Sequence, residues 1–145
     1  MKIVLQRVQK SSVTIDGKVN GEVQQGYMAL VGFCNGDNQA IVDKMIDKMI
    51  GLRVFEDDQG KMNLSLQDIQ GSILSISQFT LYADCTQGNR PGFTNAAQPE
   101  YANELYEYFC NKCTENEINV QKGIFGADMK VSLLNDGPVT IILEK

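Results

Sequence analysis

The sequence predicts an α/β (α+β) domain in which a curved, mostly antiparallel sheet or partial barrel carries two helices on one side. Three observations predict it. Strand-like runs greatly outnumber the two stretches with helical periodicity, hairpin signals join several of those runs, and no linker divides the 145 residues. With 43% hydrophobic residues, the chain reads as one domain, residues 1–145, able to bury a real core.

The elements follow in order. Residues 3–8 and 12–15 are strand-like, and Asp16-Gly17 is a hairpin signal ahead of Lys18-Val19. Residues 27–34, Tyr-Met-Ala-Leu-Val-Gly-Phe-Cys, are almost continuously apolar, as in a buried central strand. Asn35-Gly36-Asp37-Asn38 ends that strand and offers a cap for a helix over 39–51. There Ile41, Val42, Met45, Ile46, Met49 and Ile50 share a face, with Asp43, Lys44, Asp47 and Lys48 opposite. Strands at 52–56 and 62–66 flank the turn Asp57-Asp58-Gln59-Gly60, and residues 72–77 alternate small polar with apolar, a strand pattern.

Residues 83–97 form a loop rich in Gly, Asn and Pro, long enough to suggest function. Pro99 opens a helix over 99–113, with Tyr101, Ala102, Leu105, Tyr108, Phe109 and Cys113 as its buried stripe. Strands follow at 118–121, 130–134 and 139–143, the first two joined by a loop over 122–129. Taken alone, the interruption Asn135-Asp136-Gly137-Pro138 reads as a tight turn between two strands. A sharper reading aims its carbonyls at a ligand.

Composition narrows the chemistry. The chain has no histidine, which excludes Ser-His-Asp and Cys-His nucleophile systems and any imidazole base. Cys110 and Cys113 make a C-x-x-C late in a helix, the wrong end for a reactive thiol, and no histidine completes a zinc site. They read as packing residues, and neither metal nor cofactor is expected. The net charge of −5 argues against broad binding of duplex DNA but leaves room for a single-stranded end held through few phosphates. No run approaches a membrane span and no signal peptide opens the chain, so a cytosolic protein is expected.

Candidate chemistry lies in three polar or glycine-rich segments, Ser77-Gln78-Phe79-Thr80, Gly88-Asn89-Arg90-Pro91-Gly92-Phe93 and Gly137-Pro138-Val139-Thr140. A strand ending in Ser77-Gln78 can free the next N–H groups, near Phe79 and Thr80, to form an oxyanion hole. Thr80 is a candidate nucleophile, although no base accompanies it. Arg90, between Asn89 and Pro91, is a rigidly presented cation suited to phosphate or carboxylate. Gly137-Pro138 completes the set.

Read together, Ser77-Gln78-Phe79-Thr80-Leu81-Tyr82-Ala83-Asp84, Gly88-Asn89-Arg90-Pro91, Gly126-Ala127-Asp128-Met129 and Asn135-Asp136-Gly137-Pro138-Val139-Thr140 resemble the D-aminoacyl-tRNA deacylase family, from Met1 to the C-terminus. The resemblance implies a homodimer that hydrolyses the ester joining a D-amino acid to the 3′-terminal adenosine of tRNA. It also implies removal of glycine mischarged on tRNA for alanine. By the same resemblance Ser77, Gln78, Phe79 and Thr80 line the reacting ester, while Ala102 and Met129 lie near the adenosine and the amino-acid end. The cis-linked pair matching Gly137-Pro138 reaches into the partner subunit's site, where rigid main chain collides with the Cβ of an L-residue. Glycine has no Cβ and escapes that collision. At Gln87 and Gly92 many relatives carry Lys and Ser instead. A non-catalytic module that binds nucleic-acid ends, and a thiol or metal protein built on Cys110 and Cys113, are the competing readings.

Overall fold

A computed structural model describes residues 1–145. Strand β1 (Lys2–Ile15) is the axis of the sheet and pairs antiparallel with β2 (Lys18–Val23), β3 (Gly26–Gly32) and β8 (Lys130–Glu144). The two runs read from the sequence at 3–8 and 12–15 are therefore one strand. Helix α1 (Gln39–Ile50) returns the chain past the small hairpin β4 (Phe55–Glu56) and β5 (Met62–Leu64) to β6 (Ser72–Ser77), which lies parallel to β3. Helix α2 (Pro99–Glu115) then leads to β7 (Asn119–Lys122), parallel to β6. Antiparallel pairing thus surrounds β1, and the two helical crossovers make the parallel pairs, as such connections require.

Alternation along β3 separates two cores. Tyr27, Ala29 and Val31 pack with Met45, Ile46 and Met49 of α1 and Leu105, Tyr106 and Phe109 of α2, so both helices cover one face. Met28 joins Val8, Val13, Val23, Leu74 and Ile76 on the other face. Asn38 caps α1, its side chain accepting from Ile41 N at 3.1 Å. Along α2 the buried residues are Ala102, Leu105, Tyr106, Phe109, Cys110 and Cys113. Tyr106 and Cys110 replace the expected Tyr101 and Tyr108. Tyr101 is 43% exposed, and Tyr108 turns its hydroxyl to Asp43 of α1 at 2.8 Å.

The largest difference from the sequence reading lies near the C-terminus. The 130–134 and 139–143 runs are one strand, and the chain does not reverse at Gly137-Pro138. Gln6 pairs with Thr140 and Val8 with Asn135, so only Arg7 separates these partners on β1. Asp136, Gly137, Pro138 and Val139 separate them on β8, and the excess chain is thrown out as a wide bulge. The reading as a tight turn fails because β1 is long enough to pair with both flanks.

Candidate functional site

The site begins where β6 stops. Gln78 N donates to Val31 O at 2.8 Å, the last ladder bond before a 3-10 helix at Phe79–Tyr82. The next amide in the pattern is Leu81 N, which donates to Gln78 O at 3.3 Å. The N–H groups of Phe79 and Thr80 fall between these two bonds, and the opening of a helical turn supplies them no acceptor. Gly32 permits this sharp exit, because a Cβ there would lie 2.7 Å from the main-chain oxygen of Gln78.

Beside this turn lies a cleft of about 420 Å³. Met28, Leu30 and Ile76 come from the sheet, and Ser77, Gln78 and Phe79 from the end of β6 and the turn. Phe125, Gly126, Ala127, Met129, Val131 and Leu133 close it from the segment entering β8. No lining side chain is ionisable. Gln78 Nε2 donates to Thr80 Oγ1, and a neutral amide cannot take the proton a nucleophilic hydroxyl must lose. The arrangement offers an apolar pocket, two free main-chain donors and no protein base.

Of the residues expected in the site, Ser77, Gln78, Phe79 and Met129 line the cleft, and Thr80 stands exposed beside it. Arg90 lies on the exposed part of the 83–97 loop, away from the lining. Ala102 is not brought to the cleft. It is 5% exposed in the core beneath α2, because its place on the helix faces the sheet. Gly137 and Pro138, joined by a cis bond, are exposed on the β8 bulge and do not line the cleft of their own chain.

Arg7 is the residue that sequence reasoning missed. It is 4% exposed, donates from Nε to Asp136 O at 3.0 Å and from Nη1 to Val54 O at 2.6 Å, and so ties down the bulge that carries Gly137-Pro138. The signal was present: Arg7 continues the inward set Ile3 and Leu5, where a charge needs a reason to be buried. Phe93 ends the candidate segment 88–93 without a role read from the sequence, and its ring packs edge-on to Phe79 with centroids 4.9 Å apart. Cys110 and Cys113 are buried in the core beneath α2. Burial pushes Cys113 up to about 12 and raises Cys110, and the structure gathers no cluster of three metal-ligating side chains.

Fold and cleft define a small α/β protein with a mostly apolar pocket beside two main-chain N–H groups that have no ladder partner. The family model described as D-Tyr-tRNA(Tyr) deacylase matches residues 4–144, and the chain belongs to that family. A D-aminoacyl-tRNA deacylase of Geotalea daltonii is 56% identical over 144 residues, covering 99% of this chain and 96% of that one. One from Exiguobacterium sibiricum is 54% identical over 145 residues, covering both chains fully. Among solved structures, a c-Myc DNA unwinding element binding protein superposes with a TM-score of 0.94 at 40% identity, covering 100% and 99% of the two chains. A probable eukaryotic D-amino acid tRNA deacylase superposes at 0.83 with 15% identity, covering 98% and 97%, which shows the common fold.

Proposed function

We propose that this chain, acting as one domain, hydrolyses the ester between a D-amino acid and the 3′-terminal adenosine of tRNA and spares the L-ester. The observation that carries the reading is the pair of unladdered N–H groups at Phe79 and Thr80 beside a cleft without any ionisable side chain. Such donors stabilise a tetrahedral oxyanion, each contributing roughly 3–4 kcal/mol when well placed. With no protein base at hand, the adjacent ribose 2′-OH is the group that assists attack. Thr80 supports the site and is not the nucleophile.

Chirality is judged by main chain. Gly137-Pro138 of one subunit enters the partner's cleft and blocks the Cβ of an L-residue, whereas glycine, as on tRNA for alanine, passes. Two observations support an exchange between subunits. The pair is exposed and absent from its own cleft, and β8 bonds only to β1 while exposing Leu133, Leu134 and Ile142. A long uncovered edge of that kind invites pairing with a second copy.

The test is hydrolysis of matched D-, L- and glycyl-tRNA by purified protein. Release from the D and glycyl forms with the L form intact is the expected result. Rapid release from the L form overturns the assignment. Binding without turnover of any form leaves the module that binds nucleic-acid ends, a reading that the 40%-identical DNA unwinding element binding protein favours.

A further inference from the structure

Two aromatic rings lie exposed where the cleft meets the 83–97 loop, and only one of them lines the cleft. Phe79 is 53% exposed on its rim, and Phe93 is 37% exposed outside it, edge-on to Phe79. The segment that presents Phe93 is held firmly. Asp84 and Gly92 exchange both main-chain bonds, at 2.7 and 2.9 Å, and Ala97 N donates to Phe33 O at 3.0 Å. Ala96 N closes a turn onto Phe93 O at 3.1 Å. Within the loop that the Asp84–Gly92 bridge closes stands Arg90, exposed and paired with no carboxylate. A solvent-facing aromatic on a braced segment, three residues from a free cation, is the combination that single-stranded nucleic acid engages.

We propose that Phe93 is a stacking platform for the unpaired nucleobase immediately upstream of the terminal adenosine, with Arg90 receiving its phosphate. The inference rests on the function proposed above. With the terminal adenosine in the cleft and Phe79 at its rim, the strand must leave past Phe79. Phe93 is the next ring on that path. Base–aromatic stacking is tolerant of sequence, so the contact recognises a single-stranded end rather than a particular base.

The experiment compares two D-tyrosyl esters, one of adenosine and one of the trinucleotide cytidylyl-cytidylyl-adenosine, on the full-length protein. The wild type is expected to prefer the trinucleotide by roughly tenfold in kcat/KM, expressed mainly in KM. Phe93→Ala brings that ratio close to one, and Phe93→Trp restores it. A ratio unchanged by Phe93→Ala, with both esters slowed alike, would mean the ring only props Phe79 and overturns the proposal. So does a shift of the sedimenting species in Phe93→Ala, which would place protein rather than RNA on the ring. If the wild type hydrolyses neither ester, the hydrolase reading fails separately. Titration with the uncharged trinucleotide then decides: weaker binding by Phe93→Ala upholds the platform, and equal binding ends it.

Discussion

Arg7 holds Asp136 by its main chain. Its Nε donates to the Asp136 carbonyl at 3.0 Å, and the Asp136 carboxylate lies a further contact away, at 3.5 Å from the same nitrogen. One buried guanidinium thereby fixes the residue next to Gly137-Pro138, while its Nη1 is committed to Val54 O. The flat, forked donor set is what allows a single side chain to satisfy carbonyls on two separate segments, at Val54 just before β4 and at Asp136 in β8. The bulge is held from inside the protein, although Gly137 and Pro138 face outward.

Arg7→Lys should therefore weaken two things together. A lysine can reach one carbonyl but not both, and a buried carbonyl left unpaired costs about 1–3 kcal/mol. The urea midpoint should fall accordingly. If Gly137-Pro138 judges handedness, L-aminoacyl-tRNA turnover should rise in the same variant while glycyl-tRNA turnover changes little. A destabilised variant with unchanged L-rejection would show that the anchor serves folding alone.

Thr80→Ala should retain substantial turnover, within about tenfold of the wild type, since the proposed donor is the main-chain N–H and not the hydroxyl. Complete loss in a folded variant would restore Thr80 as nucleophile. The reciprocal change is on the substrate. A tRNA ending in 2′-deoxyadenosine should react slower by roughly a hundredfold, the scale of a lost proton-transfer group. Equal rates would remove the 2′-OH from the reaction. Because no lining residue titrates, kcat should rise smoothly with pH between about 5 and 8, and a bell with a neutral midpoint would require a protein base.

The buried thiols give a stability prediction with a definite sign. Cys113 is lifted by burial from 9.0 to about 12, and burial raises Cys110, Tyr27 and Tyr106 also. A folded-state pKa above the unfolded one means the native state keeps its proton longer. Stability is then complete below pH 9 and is lost as pH climbs toward 12. Denaturation midpoints should fall across that window, and Cys113→Ala should flatten part of the slope. Thiol reagents at pH 8 should label exposed Cys85 and leave Cys110 and Cys113 unmodified in the native protein. Rapid labelling of Cys110 or Cys113 would contradict their packing role.

Local periodicity made most of the fold legible. The α1 face of Val42, Met45, Ile46 and Met49, the Asn38 cap and the alternation of 72–77 each express a short-range rule. The long β8 did not yield, because whether a Gly-Pro interruption reverses the chain depends on the length of its partner strand, which lies over a hundred residues away. Parallel pairing of β6 with β3 is likewise a choice made by the helical crossover and not by either strand. At the site, the Ser77-Gln78-Phe79-Thr80 segment stood out as a pattern, whereas Phe93 needed a tertiary contact to gain meaning. Ala102 shows the opposite case: its helical position placed it in the buried stripe, and the structure keeps it there, away from the cleft.

Gly32→Ala probes the geometry that everything at the cleft depends on. The added Cβ would stand 2.7 Å from Gln78 O and 3.2 Å from Leu81 Cβ. The first of these is main chain and cannot swing aside, so the turn itself must move. Gly32 and its neighbours are otherwise ordinary strand, and the sheet can absorb one methyl with modest loss of stability. The Phe79 and Thr80 N–H groups, however, would shift relative to the ester, and a displacement near 1 Å costs on the order of a hundredfold in rate. The expected phenotype is a folded protein with kcat sharply reduced and KM nearly unchanged. Gly92→Ser is the matching control, because a Cβ there meets only Asp84 O at 3.9 Å. It should leave kcat within about twofold, as expected for a surface substitution without a clash. Full activity in Gly32→Ala would mean that the turn after β6 is not where the oxyanion is held.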